Sequence, residues 1–235
     1  MIFAAGLGTR LRPLTNDRPK ALVEVLGKTL LQHAIEHLKK VGITDIVVNI
    51  HHFGEKVLEV LSNNQNFGCN IIISDERAML LETGGGLLKA KNHFKGAKAI
   101  VIYNVDVLSN IDLLEMLHHH QENKALATLA TRSRESSRYL LFNEHEELCG
   151  WTNTKTKEVK HVRLANKIQE YAFSGIHIIN PTFLELITQE GKFSITDTYL
   201  ELARQHKIIA YPHDKDYWFD VGKPERLKAA SDFLS

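Results

Sequence analysis

The sequence predicts an α/β fold in which a mostly parallel sheet is covered by helices on both faces and carries a small antiparallel insertion. Three observations predict it. Short apolar, β-branched runs alternate with helix-period segments over the first 130 residues. Beyond them come three short strand-like runs joined by polar turns. No stretch rich in Gly, Pro or Ser divides the 235 residues. One domain over 1–235, with an embedded insertion at about 132–170, is therefore the simplest organisation.

The elements follow in order. Residues 1–5 are apolar and strand-like; five residues is short for a first strand, as it would be if a few residues preceded Met1. Residues 6–19 hold two glycines, two prolines and three arginines and read as a loop. Leu30, Leu31, Ala34, Ile35, Leu38 and Val41 have helical spacing, and Gly42 stops that helix. Strands are expected at 43–50, 69–73, 98–103 and 125–131, with helices at 55–61, 84–91 and 112–120. The 84–91 helix should begin just after a flexible glycine run. The insertion strands fall at 139–142, 147–151 and 158–162. Strand character returns at 173–179, Pro181 opens a helix, and helices at 195–204 and 224–233 flank a short strand at 208–211.

Composition narrows the class. The 29 basic and 28 acidic side chains give a formal charge of +1, so nothing drives nonspecific binding to nucleic acid or to an anionic membrane. No apolar run approaches membrane-spanning length and no signal-like segment occurs. The two cysteines, Cys69 and Cys149, form no ligand cluster. A cytoplasmic enzyme is expected.

The first loop carries the chemistry. After Ala4 and Ala5 it runs Gly6-Leu7-Gly8-Thr9-Arg10-Leu11-Arg12-Pro13, and Arg18-Pro19-Lys20 follow. A strand feeding a glycine loop lets backbone N–H groups approach an anion. The pattern is neither a GxGxxG fingerprint nor a Walker loop. Arg10, Arg12, Arg18 and Lys20 lie within eleven positions of each other and can balance a polyphosphate charge.

In these residues the chain resembles the sugar-phosphate nucleotidyltransferases. The string GLGTRLRPLT followed by Pro19-Lys20 is similar to their signature loop. Four further stretches agree: Glu82-Thr83-Gly84-Gly85-Gly86, Asn104-Val105-Asp106-Val107, Phe173-Ser174-Gly175-Ile176, and the run from Trp218 through Asp220 to Leu227. The resemblance implies a Rossmann-like, three-layer nucleotidyltransferase fold. It also implies that Ala4 to Thr9 wrap the triphosphate, with Arg10 and Lys20 as catalytic cations. Asp75, Glu82, Thr83, Gly84, Gly85 and Asn104 would complete the nucleotide site. Asp106 and Asp220 would bind Mg2+, with Asp106 counted among the catalytic residues.

On the acceptor side the resemblance implies Ser174, Gly175 and Asp220, with Asn166 and Glu170 as further candidates. Many members carry a Glu-Lys-Pro motif there; this chain reads Arg163-Leu164-Ala165-Asn166-Lys167 instead, and Val105 stands where glycine is usual. Lys160, Arg163 and Lys167 are then candidates for the cation that meets the sugar phosphate. The partners implied are a nucleoside triphosphate and a sugar 1-phosphate, with the protein a monomer or weak dimer.

The LETGGG string most resembles the N-acetylmuramate-1-phosphate uridylyltransferase branch, so UTP with that sugar phosphate is the first expectation. Alternatives are GTP with mannose 1-phosphate, a phosphocholine-type cytidylyltransferase using Tyr139, Trp151 and Tyr171 as a cage, and an inactive nucleotide-sugar binding protein. Two runs, His51-His52 and His118-His119-His120, read as surface histidines, because consecutive side chains diverge and cannot converge on one ion.

Overall fold

A computed structural model of the chain describes residues 1–235. In chain order the elements are β1 (Ile2–Phe3), β2 (Glu24–Val25), β3 (Lys28–Thr29), α1 (Leu30–Lys40), β4 (Asp45–Ile50), α2 (Gly54–Asn63), β5 (Asn70–Asp75) and α3 (Glu82–Lys89). Then come β6 (Ile100–Asn104), β7 (Val107–Ser109), α4 (Leu113–Glu122), β8 (Ala127–Arg132), β9 (Arg138–Phe142), β10 (Leu148–Asn153) and β11 (Glu158–His161). The chain closes with β12 (Gln169–Ile179), α5 (Ile195–Leu202), β13 (Ile208–Pro212), β14 (Trp218–Asp220) and α6 (Pro224–Leu234).

The central sheet runs β5-β4-β1-β6-β12, with β8 and then β13 beyond β12. Within that stretch only β12 runs against its neighbours. The 11 residues of β12 also reach past the central sheet to pair with β9, and β10 and β11 follow outward. Alternation along the strands divides the core. Ile2, Val48, Val101 and Tyr103 face α1, α2, α4 and α6, whereas Phe3, Val47, Ile100 and Ile102 face α3 and α5. Three layers result. In α1, Leu30, Leu31, Ala34, Ile35 and Leu38 are fully buried, each large side chain contributing about 1.5–3 kcal/mol. Thr29 caps that helix by accepting from the Gln32 amide at 3.1 Å.

Several local expectations are corrected. Gly84, Gly85 and Gly86 are not a flexible run; they lie in the first turns of α3, and all three are buried. Pro181 opens only a 3-10 turn, Pro181–Glu185. The short ribbons β2/β3 and β7/β14 were not anticipated. His120 is buried, not superficial, with Nδ1 2.9 Å from the Thr128 hydroxyl; its neighbours do diverge, His119 packing edge-on against Tyr211. No helix is long and apolar enough to cross a membrane.

Candidate active site

Strand β1 has β4 on one side and β6 on the other, so the connections leave it in opposite directions. A crevice forms at such a switch point, beyond the carboxyl ends of parallel strands. Here it is a cavity of about 310 Å³ lined by residues that end those strands: Phe3 to Gly6, Asn49, and Asn104 to Asp106. Lys20, Leu80, Glu82 and Thr83 close the other sides. Of the residues the sequence singled out, Ala4, Ala5, Gly6, Lys20, Glu82, Thr83, Asn104 and Asp106 therefore meet at one place.

Leu7, Thr9 and Arg10 continue the loop outward and are exposed. Gly8 adopts φ 64°, and a Cβ there would lie 3.1 Å from both Lys20 Cβ and Thr15 Cγ2. The Gly8 carbonyl accepts from the Thr15 hydroxyl at 2.9 Å and from the Leu11 amide at 2.9 Å, which folds the loop back on itself. Lys20 is ion-paired with Asp106 at the cavity wall, both side chains mostly buried.

The two aspartates come together through the β7/β14 ribbon. Its antiparallel register sets Asp220 opposite Val107, and the Val221 amide donates to the Asp106 carbonyl at 2.9 Å. Asp220 Oδ1 accepts from the Gly222 amide at 2.9 Å. A Cβ on Gly222 would lie 2.8 Å from both Arg10 Nη2 and Asp220 Oδ1, so the Arg10 guanidinium and the Asp220 carboxylate flank the same small residue. Arg10, Lys20, Asp106 and Asp220 thus form one mouth. Two carboxylates supply the hard oxygen donors that a magnesium-class ion takes. The Lys20 ammonium already occupies a cation position on Asp106. No third His, Cys, Asp or Glu joins the pair, so an ion held by Asp106 and Asp220 would draw its other oxygen donors from water and substrate phosphate.

Other candidate residues lie elsewhere. The Asp75 carboxylate is held by the Arg77 guanidinium, with Nη2 at 2.5 Å, and those hydrogen bonds push its pKa down; it does not line the cavity. Gly84 and Gly85 face inward: added Cβ atoms would lie 2.3 Å from the Phe193 ring and 2.1 Å from the Gly191 carbonyl. These glycines let α3 approach the segment before α5, and the Gly84 amide donates to the Phe193 carbonyl at 3.0 Å. The buried Ser174 hydroxyl is hydrogen-bonded to His213 Nε2 at 2.8 Å and faces neither cavity. Gly175, at φ 79°, packs against Asn104 and Val107. Asn166 and Glu170 are exposed and line neither cavity. Arg163 is spent on Glu147 at 3.1 Å, and Lys160 sits 3.5 Å from Asp197.

A second cavity of about 240 Å³ opens between the insertion and α5, with Arg134, Arg138, Tyr139, Trp151, Phe173 and Thr196 in its wall. Tyr139 and Trp151 were singled out from the sequence; Tyr171 is absent from the wall.

Beneath the first cavity, two residues were missed. Asn49 Oδ1 accepts from the Ala4 amide at 2.6 Å and the Ala5 amide at 3.3 Å, and its Nδ2 donates to Glu76 at 2.7 Å. The other Glu76 oxygen accepts from the Leu81 amide at 3.2 Å, and Glu76 is fully buried. This chain of bonds ties the strand before the glycine loop to the start of α3 beneath the cavity. It also means that Ala4 and Ala5 have no free amide for a phosphate, and such donors begin at Gly6. A polar residue inside an apolar strand was the only signal.

Comparison with known proteins identifies the family. The family model for nucleotidyl transferases matches residues 1–235. An N-acetylmuramate alpha-1-phosphate uridylyltransferase from Caulobacter vibrioides is 33% identical over 98% of this chain and 94% of its own length. A mannose-1-phosphate guanyltransferase from Yarrowia lipolytica is 31% identical over the whole chain, which spans 62% of that relative. Among solved structures, HddC from Yersinia pseudotuberculosis complexed with GMP-PN superposes with TM-score 0.77 at 19% identity, covering 100% of this chain and 98% of its own. A UDP-glucose pyrophosphorylase complexed with UDP-glucose gives 0.77 at 18% identity, covering 99% and 96%. With the family model spanning every residue and a relative matched nearly end to end, this chain belongs to the nucleotidyl transferase family, among its sugar-phosphate nucleotidyltransferases.

Proposed function

We propose that this protein transfers UMP from UTP to N-acetylmuramate 1-phosphate, or a closely related amino-sugar 1-phosphate, and releases pyrophosphate in a magnesium-dependent reaction. The observation that carries the reading is the single mouth formed by Arg10, Lys20, Asp106 and Asp220 beside the strand-end cavity. A phosphate oxygen of the acceptor attacks the α-phosphorus of the triphosphate. The new P–O bond forms as the bond to the bridging oxygen breaks, and the electron pair leaves with pyrophosphate. The nucleophile is already an anion, so no general base is required. Rate then comes from positioning and from charges placed where charge develops. Lys20, in the cavity wall, and Arg10, beside Gly222, supply positive charge to the phosphates. Magnesium on Asp106 and Asp220 would neutralise phosphate charge.

The choice of UTP and an amino-sugar phosphate is supported by the LETGGG string and by the 33% identity to the uridylyltransferase over nearly its full length. The guanyltransferase relatives support a second reading, GTP with mannose 1-phosphate. The phosphocholine reading is disfavoured, because Tyr139 and Trp151 share their cavity with two arginines, which would repel a quaternary ammonium. We take the protein to act in the cytoplasm as a monomer or weak dimer. Pyrophosphate release across a grid of four triphosphates and several sugar 1-phosphates tests the assignment. UTP with N-acetylmuramate 1-phosphate should give the highest kcat/KM, and strong GTP turnover with no use of UTP would overturn it.

A further inference from the structure

The Glu-Lys-Pro lysine is missing from this chain; Arg163 is paired with Glu147, and the exposed Lys160, 5.4 Å over the Trp151 ring and 3.5 Å from Asp197, stays outside the cavity wall. Arg132 is no substitute, since it lines neither cavity and its guanidinium is held by the carbonyls of His213, Asp214 and Asp216. Arg134 differs from all of these. It lines the second cavity and makes no ion pair. Its Nη2 donates to the Phe173 carbonyl at 3.1 Å and its Nη1 to the Glu135 carbonyl at 3.3 Å. The Nε atom is buried with no partner.

Its position is equally specific. The guanidinium carbon sits 4.4 Å from the centre of the Trp218 ring, and Trp218 lies two residues before Asp220 in β14. Trp218 is itself fixed, its Nε1 donating to the Ser174 carbonyl at 2.8 Å. Arg134 therefore stands between the second cavity and the aspartate pair. Burial pushes its pKa down, and the Asp220 carboxylate acts in the opposite direction. A guanidinium so desolvated stays charged and gains most from a bound anion. No Asp or Glu lines the cavity to supply one, whereas Arg138 adds a second unpaired positive charge to its wall.

We propose that Arg134 receives the phosphate of the acceptor and holds it between the second cavity and the Asp106–Asp220 mouth. This inference rests on the sugar-phosphate reading of the site. The ligand class is a phosphomonoester on a sugar-sized body, its ring in the second cavity and its phosphate turned toward the triphosphate. Each Nη donates one N–H to a carbonyl and keeps a second, and contact with Trp218 restrains the guanidinium, so these remaining N–H groups are directed donors rather than a mobile point charge.

The test compares wild type, R134Q and R134K, with K98Q, at an exposed lysine before β6 that lines neither cavity, as a control. Steady-state KM is measured separately for triphosphate and acceptor, with the acceptor that wild type uses best. R134Q should raise the acceptor KM by about tenfold or more while triphosphate KM stays within about twofold, as expected when a charge-assisted bond to one substrate is lost. R134K should fall between, keeping the charge but not the fork. Unchanged acceptor KM in folded R134Q overturns the proposal. Should R134Q fail to fold, R134K decides, and an unchanged acceptor KM there overturns it as well. If wild type releases no pyrophosphate with any acceptor, the enzymatic reading fails by itself. Calorimetric titration of N-acetylmuramate 1-phosphate into wild type and R134Q then decides the site: loss of binding in the variant supports it, and equal binding or none in either protein overturns it.

Discussion

Lys20 and Asp106 neutralise each other at the cavity wall, so replacing either has two effects, one on the site and one on the partner left behind. Arg10 is exposed and makes no ion pair, so its loss should touch chemistry alone. Arg10→Ala is expected to fold as wild type and to lose about 10²-fold or more in turnover, the usual cost of removing a transition-state donor. Lys20→Ala should lose at least as much and in addition unfold at lower denaturant. Near-normal kcat in both, with intact circular dichroism, would make them surface charges. Asp106→Asn and Asp220→Asn each remove one anionic oxygen ligand and keep the shape. Pyrophosphate release by each should need much more magnesium and stay slower at saturation; an unchanged titration curve in both would take the pair out of the metal site.

Helix α3 shows what an element does with glycine that a loop does not. The first turn carries Gly84 and Gly85 hard against Phe193 and the Gly191 carbonyl, and Gly86 against Glu76. Gly85→Ala would drive its Cβ to 2.1 Å from a backbone oxygen, so the segment from Gly191 to Phe193 must move. A loss of about 1–3 kcal/mol is expected in urea unfolding, the range for overpacking. Gly6→Ala, with nothing within 4 Å of the added Cβ, should unfold like wild type. Equal midpoints for wild type and Gly85→Ala would show that this segment yields. The same helix explains what the sequence disclosed and what it withheld. The Gly-Gly-Gly run stood out, but consecutive glycines look alike whether they meet a ligand or another chain segment. The parallel strands were readable from apolar runs such as Ile46 to Ile50. The β7/β14 ribbon was not, because three-residue strands have no periodicity and their partners lie far apart in the chain. Asn49, Glu76 and Arg134 were missed for a related reason: their roles come from long-range bonds and stacking that no local pattern encodes.

Across the molecule, three histidines are folded into the interior as neutral rings. Burial pushes the pKa of His177 down to about 3, and those of His120 and His213 down to about 4. His213 is bonded to Ser174, and His177 contacts the Tyr199 hydroxyl. In the unfolded chain each titrates near 6.5, so below that pH the unfolded state binds protons that the native state refuses. The contribution of these three rings should therefore be level above neutrality and fall as pH drops from 6.5 toward 4. The slope is about 1.4 kcal/mol per pH unit for each fully neutral histidine. Thermal unfolding from pH 8 to 5.5 measures this above the range where ordinary carboxylates protonate. A level Tm from pH 7 to 5.5 would mean that the rings take up protons in place.

The β7/β14 ribbon has a consequence for folding as well as for chemistry. Asp106 and Asp220 lie 114 positions apart (220 − 106) and become neighbours only when nearly half the chain has closed on itself. In an unfolded chain such a loop brings its ends together rarely. A cation that needs both carboxylates accordingly finds them only in the native protein, and its full binding free energy adds to stability. At a hundred times its dissociation constant that amounts to about 2.7 kcal/mol. Bound magnesium would then act as a removable crosslink, raising Tm by several degrees in the wild type and not in Asp220→Asn, with no substrate present.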